Sequence, residues 1–456
     1  MIVKKTGNTG FAGAGENKMD ELKGHQIIFR SLRYRNYRLF FTGQILSLIG
    51  TWTQQIALPW LVYRLTDSPF LLGLVGFATQ IPALLLTPFA GVMADRWNRY
   101  RILLATQTLS MLQALLLTIL FFTGHIAVWN IILMAIFLGL INAFDMPTRQ
   151  SFVIALVENK KDLSNAIAMN SMMFNSARLI GPAVAGIIIA VSNEGVCFAI
   201  NAVSFLFVIA SLLMMKITYQ NAKPRTTAVL HELKEGFNYA FGFAPLRYIM
   251  LLLALVSLIG MPYSVLMPVF ARKILHGGPI TLGLLMAAAG SGALTGAIYL
   301  ASRKNARGLT KIIPLSTAVF GIGLITFSLS RTLWLSLPLM FITGLGMMVQ
   351  MVASNTIIQT VVDDDKRGRI MSFYVMAFIG TAPFGSLIAG SLASTIGAPN
   401  TLIIGGTLCV LAAAMFARKL PELRKNIRPI YVKLGIINEM SSGIQAAANL
   451  TAPPED

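Results

Sequence analysis

The sequence predicts an all-α integral membrane protein, with twelve transmembrane helices forming two pseudo-symmetric six-helix bundles. Three observations carry this. Of 456 residues, 55% are hydrophobic and 12% charged, against about 45–50% and about 25% in soluble domains. The apolar residues gather into twelve runs near the ~20-residue length that crosses ~30 Å of hydrocarbon. The two halves of the chain also share short matching stretches. Such a composition excludes a water-soluble globule and a disordered chain, and two Cys exclude a disulfide scaffold.

In chain order the runs cover about 38–64, 70–94, 102–122, 126–146, 165–190, 196–215, 247–270, 281–301, 312–330, 333–360, 372–394 and 400–417. Residues 1–25 are rich in Gly, Asn and Lys without an apolar core, and the first long apolar run begins near Leu39, so that run reads as a membrane helix rather than a cleaved leader. An even number of crossings puts both ends on one face. Of the 37 Lys and Arg, 32 fall on that face, four (Arg64, Arg272, Lys273, Arg331) on the other, and Arg178 inside the fifth run. The positive-inside rule then predicts cytoplasmic tails at 1–37 and 419–456 and an inner-membrane location. The net charge of +19 reflects topology and contact with anionic headgroups of the lipid bilayer, with no nucleic-acid partner implied.

A polar stretch at 216–246 separates a first bundle, 38–215, from a second, 247–418. Within it Leu230, Leu233, Phe237 and Phe241 fall at helical spacing, as in an amphipathic helix lying at the membrane interface. The C-terminal tail, with Pro429, Pro453 and Pro454, is expected to be mostly solvated, with only 430–437 apolar enough to touch the membrane surface. The repeat shows in two places. Ser68–Gly73 and Gly278–Gly283 open the second and eighth runs, and Gly181–Gly186 matches Gly385–Gly390 in the fifth and eleventh. Parallel repeats of this kind belong to transporters whose substrate site lies near the midplane between the halves.

After the second run the chain reads Gly91-Val-Met-Ala-Asp95-Arg96-Trp-Asn-Arg99-Tyr-Arg101. This resembles the G-x-x-x-D-R-x-x-R motif of the major facilitator superfamily, and the resemblance extends over about residues 30–420. Gly91 permits close helix packing, and Asp95 ends a helix where an anion can meet another helix's positive N-terminus. The equivalent second-half loop keeps Arg303, Lys304 and Arg307 but no acid. In the fifth run Gly181, Pro182 and Gly186 are similar to the glycine–proline motif of the superfamily's exporters, with Ala in place of one usual glycine. Ser31–Arg38, Asn142–Gln150 and Leu163–Ala166 resemble the branch that includes the enterobactin exporter and macrolide efflux proteins. The resemblance implies the major facilitator fold, a small organic substrate of siderophore or drug type, export by alternating access, and proton antiport. An importer of the same fold is the alternative, followed by a non-transporting sensor.

No Gly-Lys pair occurs, so no phosphate-cradling loop supports ATP hydrolysis. No nucleophile stands with a base and no His, Cys or acid cluster suits a metal, so neither enzyme chemistry nor a cofactor is expected; Cys197 and Cys409 stand alone. Asp145, one helical turn from Arg149, is the one acid near the membrane interior. It is a candidate proton-coupling carboxylate or a structural ion pair with Arg149. Arg178, near the midplane, costs at least ~2.5 kcal/mol unless it faces a polar cavity or has a partner. That partner is an anionic substrate, a network reaching Asp145, or helix carbonyls. By resemblance the cavity is lined by the first, fourth, seventh and tenth helices, which nominates Gln54, Gln55, Asn142, Tyr263, Gln350 and Asn355. Interhelical hydrogen bonding is the competing fate of such residues. A cytoplasmic gate is expected to pair Arg96, Arg99 and Arg101 with Asp363, Asp364 and Asp365, and Arg303, Lys304 and Arg307 with Glu158 and Asp162. A monomer suffices for this design.

Overall fold

The computed structural model describes residues 29–157, 159, 162–216, 238–303 and 306–435, apart from the side chains of 88, 91–96, 364 and 365. Twelve helices among them are long and apolar enough to cross a membrane. They are α1 (Arg35–Thr66), α2 (Pro69–Arg96), α3 (Arg99–Phe122), α4 (Val128–Ala155), α5 (Leu163–Val191) and α6 (Glu194–Leu213) in the first half. The second half holds α7 (Ala244–Ile274), α8 (Pro279–Ala301), α9 (Leu309–Leu329), α10 (Leu333–Val361), α11 (Lys366–Ile396) and α12 (Ala398–Arg418). A shorter helix, α13 (Leu420–Lys433), follows.

Packing repeats between the halves. In the first, α1 packs on α5 and α6, α3 on α4 and α6, and α2 on α4; in the second, α9 packs on α10 and α12, and α8 on α10. The large contacts between halves are α2 with α11 and α5 with α8, which are equivalent under the same repeat. The matching glycine stretches sit at these two crossings. A Cβ on Gly390 would lie 2.7 Å from the Pro69 carbonyl oxygen and 2.8 Å from Gly73 Cα. At the other crossing, a Cβ on Gly186 would lie 2.8 Å from the Pro279 oxygen and 3.2 Å from Gly283 Cα. Backbones at this distance leave no room for a side chain, which is why small residues recur there.

Two elements depart from uniform helix. α7 carries π turns at Val256–Gly260 and Phe270–Ile274. Pro262 has no N–H to return to Leu258, and a turn widened by the Met261 N–H to Val256 oxygen bond (2.9 Å) absorbs the defect. α11 breaks between Ile379 and Ala382, ahead of Pro383. The C-terminal tail differs from expectation: 420–433 is an ordered helix rather than solvated chain. Leu423, Ile427 and Tyr431, one turn apart, are buried against α7, α9, α10 and α12. Burial pushes the Tyr431 phenol above its ordinary pKa. The expected tail at 1–37 likewise turns into structure at Arg30–Arg33, and α1 starts at Arg35. Of the linker's amphipathic segment, Leu230, Leu233 and Phe237 lie outside the described residues; 238–242 are helical.

Both described ends lie on one face, called here the basic face. Tyr34 donates to Asp162 there (2.6 Å) and Tyr431 to the Ala306 carbonyl (3.5 Å).

Candidate functional site: the seam between the halves

Both crossings are closed toward the face opposite the basic one. α5 meets α8 from Gly186 to Arg178, where a Cβ on Gly290 would lie 3.2 Å from the Arg178 oxygen. α2 meets α11 from Gly73 to Leu84, which reaches Gly380; the Phe77–Phe384 edge contact (6.0 Å) fills the space between. On the same side Arg272 of α7 pairs with Asp67 (3.2 Å) and donates to the Tyr63 carbonyl (3.4 Å), capping the end of α1. Arg64 holds the buried Glu194 through two hydrogen bonds (2.8 and 3.0 Å). Asp67 takes a left-handed conformation (φ 49°) that lets the chain turn into α2 beneath this pair.

Toward the basic face the character changes. On α5 the residues Ser164, Ala168 and Ser171 are exposed and Asn175 and Arg178 half-buried, at spacings that put them on one face of the helix. Thr295 of α8, Ser372 of α11 and Gln359 of α10 are exposed as well. Small and polar side chains thus gather along this face of α5.

Arg178 ends this stripe. It is the sixteenth of the 29 residues of α5, so it sits ~20 Å from either helix end. Among the described residues its guanidinium makes no hydrogen bond or ion pair. Tyr263 of α7 is 3% exposed and packs its ring edge-on to Phe320 (6.1 Å).

The other expected cavity residues divide. Gln54 is buried in a polar ladder: Asn201 donates to its oxygen (2.8 Å), its amide donates to Gln113 (3.0 Å), and Gln113 donates to the Met134 carbonyl (3.3 Å). Gln350, 1% exposed, donates weakly to Ser354 (3.5 Å). Gln55 is exposed on α1, Asn142 half-buried on α4, and Asn355 accepts from Gln359 (2.8 Å). Gly181 packs against Trp52, and Gly186 forms the crossing with α8, so the glycine–proline stretch fits α5 between α1 and the other half.

Asp145 is 1% exposed. Thr106 and Gln107 of α3 each donate to one of its oxygens (2.8 Å) and Arg149 pairs with the other. The carboxylate is thus turned toward α3. Of the expected gate residues, Asp162 pairs in this arrangement with Arg30 and Arg33 of its own half, with Tyr34 donating to it. Arg303 donates to Tyr299 and to the Arg307 carbonyl. Asp363 pairs with Lys366 (3.7 Å). Backbone alone places Asp95 and Arg96 at the end of α2 and Asp364 and Asp365 at the start of the segment leading into α11; their side chains, that of Gly91, and Glu158 and Lys304 lie outside the described residues. Arg99 and Arg101 open α3, where the Asn98 side chain caps the helix by accepting from the Tyr100 and Arg101 amides (3.0 and 3.3 Å).

Thr106, Gln107, Gln113, Asn201 and the Arg272–Asp67 pair are missed by sequence reasoning. The i, i+4, i+7 recurrence of small and polar residues leading to Arg178 was available to find the α5 stripe.

Two pseudo-symmetric bundles meeting at paired glycine crossings, with small and polar residues gathered toward one end of the seam, match the architecture of a membrane transporter. The chain belongs to the transmembrane secretion effector family of the major facilitator superfamily, whose model matches residues 28–431. It is similar to the staphyloferrin A transporter of Staphylococcus aureus (28% identity, covering 85% of this chain and 97% of that one). It is also similar to macrolide efflux protein A of Streptococcus pyogenes (23%; 86% and 98%) and to the multidrug efflux pump Tap of Mycobacterium tuberculosis (25%; 85% and 94%). Among solved structures it shares its fold with a bacterial homologue of the human lysosomal transporter Spinster in an inward-facing, unoccupied conformation. That match has a TM-score of 0.68 at 16% identity and covers 86% of this chain and 98% of that one.

Proposed function

We propose that this transporter exports a small anionic organic molecule of siderophore type from the cytoplasm by alternating access, in antiport with protons, as a monomer in the inner membrane. The observation that carries the reading is Arg178: a guanidinium at mid-depth, at the end of a polar stripe, with no hydrogen bond or ion pair among the described residues. An uncompensated cation is costly at that depth, and an anionic substrate supplies the missing charge. The Lys and Arg bias assigns the basic face to the cytoplasm, so the present arrangement opens inward and is shut outside by the two glycine crossings and the Arg272–Asp67 pair. In the opposite state the basic loop after α2 closes on Asp363–Asp365. Several such pairs, each worth ~0–1 kcal/mol, suffice to bias a two-state equilibrium. Asp145 carries the proton, its release governed by Arg149 and the two α3 donors. The family's efflux relatives and the glycine–proline stretch of α5 support the outward direction.

Transport into inverted proteoliposomes tests this against panels of siderophores, macrolides and cationic dyes. An acidic lumen should drive uptake of an anionic siderophore. Arg178→Gln should abolish it and Arg178→Lys retain part, while Asp145→Asn should keep counterflow but lose the response to the pH gradient. Uptake confined to cationic dyes and indifferent to Arg178→Gln would refute the reading.

A further inference from the structure

α3 is flanked by two lateral grooves that the transport seam does not use. The first, about 600 Å³, runs between α3 and α4 and is lined by Trp97, Asn98 and Arg101 at one end and by Leu109, Phe137 and Leu140 further in. The second, about 430 Å³, lies along α3 and is lined by Arg101, Leu104, Ala105, Thr108 and Leu109. Arg101, Ala105 and Leu109 border both. Spaced four residues apart, they form the ridge that divides them. α3 packs on α4 and α6 within its own half, so the grooves open sideways to lipid.

The walls are apolar where it matters. Thr106 spends its hydroxyl on Asp145 and the Leu103 carbonyl, and Thr108 on the Leu104 carbonyl. Arg101 is exposed and, among the described residues, its side chain has no partner. It stands in the first turn of α3, where the helix dipole adds positive potential, beside the exposed ring of Trp97, a side chain suited to headgroup depth. From Arg101 to Leu109 is ~12 Å along the axis, close to the ~15 Å depth of one leaflet's hydrocarbon.

We propose that the two grooves hold the two acyl chains of one anionic phospholipid, which straddles the Arg101–Ala105–Leu109 ridge with its phosphate on Arg101. A single apolar ligand needs one groove and no cation; a free phosphate needs the cation and no groove. A diacyl anionic lipid uses all three features. This site is independent of the exported substrate.

Native mass spectrometry of the full chain, titrated with phosphatidylglycerol, phosphatidylcholine or glycerol 3-phosphate, tests it. The wild type should retain one phosphatidylglycerol in preference to phosphatidylcholine. Arg101→Gln should cut that preference at least about fivefold, as loss of a charge-assisted bond predicts. Arg101→Lys should keep most of it, and Arg418→Gln, at an exposed basic residue away from the grooves, should change nothing. An unaltered preference in Arg101→Gln would overturn the proposal. So would displacement of the lipid by equimolar glycerol 3-phosphate, which would mark a free-phosphate site.

Discussion

The same triangle of helices is filled by opposite chemistry in the two halves. Among α1, α3 and α6 the centre is a buried amide ladder, Asn201 to Gln54 to Gln113. Among α7, α9 and α12 the centre is Gly260 against Phe320, with Cys409 3.0 Å from where a Gly260 Cβ would stand, and Tyr263 edge-on to the same ring. The positions correspond under the repeat. One half fixes its geometry by directional hydrogen bonds, the other by close packing of a large ring into a space a glycine leaves. Inside a bilayer, where there is little hydrophobic drive between helices, either route holds a bundle together. α7 also carries two π turns, whereas α1 contains Pro59 without one.

The largest effect expected from breaking this comparison is at Phe320. Phe320→Ala should destabilise the second half by about 3–5 kcal/mol, the cost of an aromatic cavity, read as a fall in thermal unfolding temperature in detergent. Gly390→Val should cost about 1–3 kcal/mol through overpacking and reduce transport at least tenfold, because the branched side chain meets the Pro69 carbonyl. Gly186→Val, at the equivalent crossing, should match it, and unequal losses would show that the crossings are not equivalent. Gln113→Leu should cost less, about 0.6–1.7 kcal/mol as for membrane hydrogen bonds, and replacing Gln54, Gln113 and Asn201 together should cost less than the sum of the single changes. Arg272→Gln should be the smallest, about 0–1 kcal/mol, and visible as faster labelling of a cysteine placed at Ile280 rather than as lost stability.

Much of this is legible in the sequence alone. The twelve runs, the charge bias and both glycine matches need only local sequence, because a membrane dictates helix length and a repeat preserves small residues where backbones touch. The Gly73–Gly390 and Gly186–Gly283 contacts show why those matches exist. The polar candidates were less legible. Gln54 and Gln55 are neighbours in sequence, yet one is buried in the ladder and the other exposed, a difference set by a 100° rotation about the helix that depends on the neighbouring helices. In α13, Pro429 and many charges mask three buried residues at i, i+4 and i+8, so local sequence alone suggests a solvated tail. Asp162 pairs in this arrangement with Arg30 and Arg33, partners more than 120 residues away in sequence that no local pattern reveals.

Alternation between the two faces can be read from one pair of distances. Spin labels at Ser164 and Thr295 report the basic-face ends of α5 and α8, and labels at Val191 and Ile280 report their opposite ends; all four positions are exposed. Gly390→Val drives a wedge between α2 and α11, remote from either pair. If the halves rock as rigid bodies, the 191–280 distance lengthens and the 164–295 distance shortens in the same sample. If both distances stay fixed, or both lengthen together, the two halves do not alternate about a shared seam.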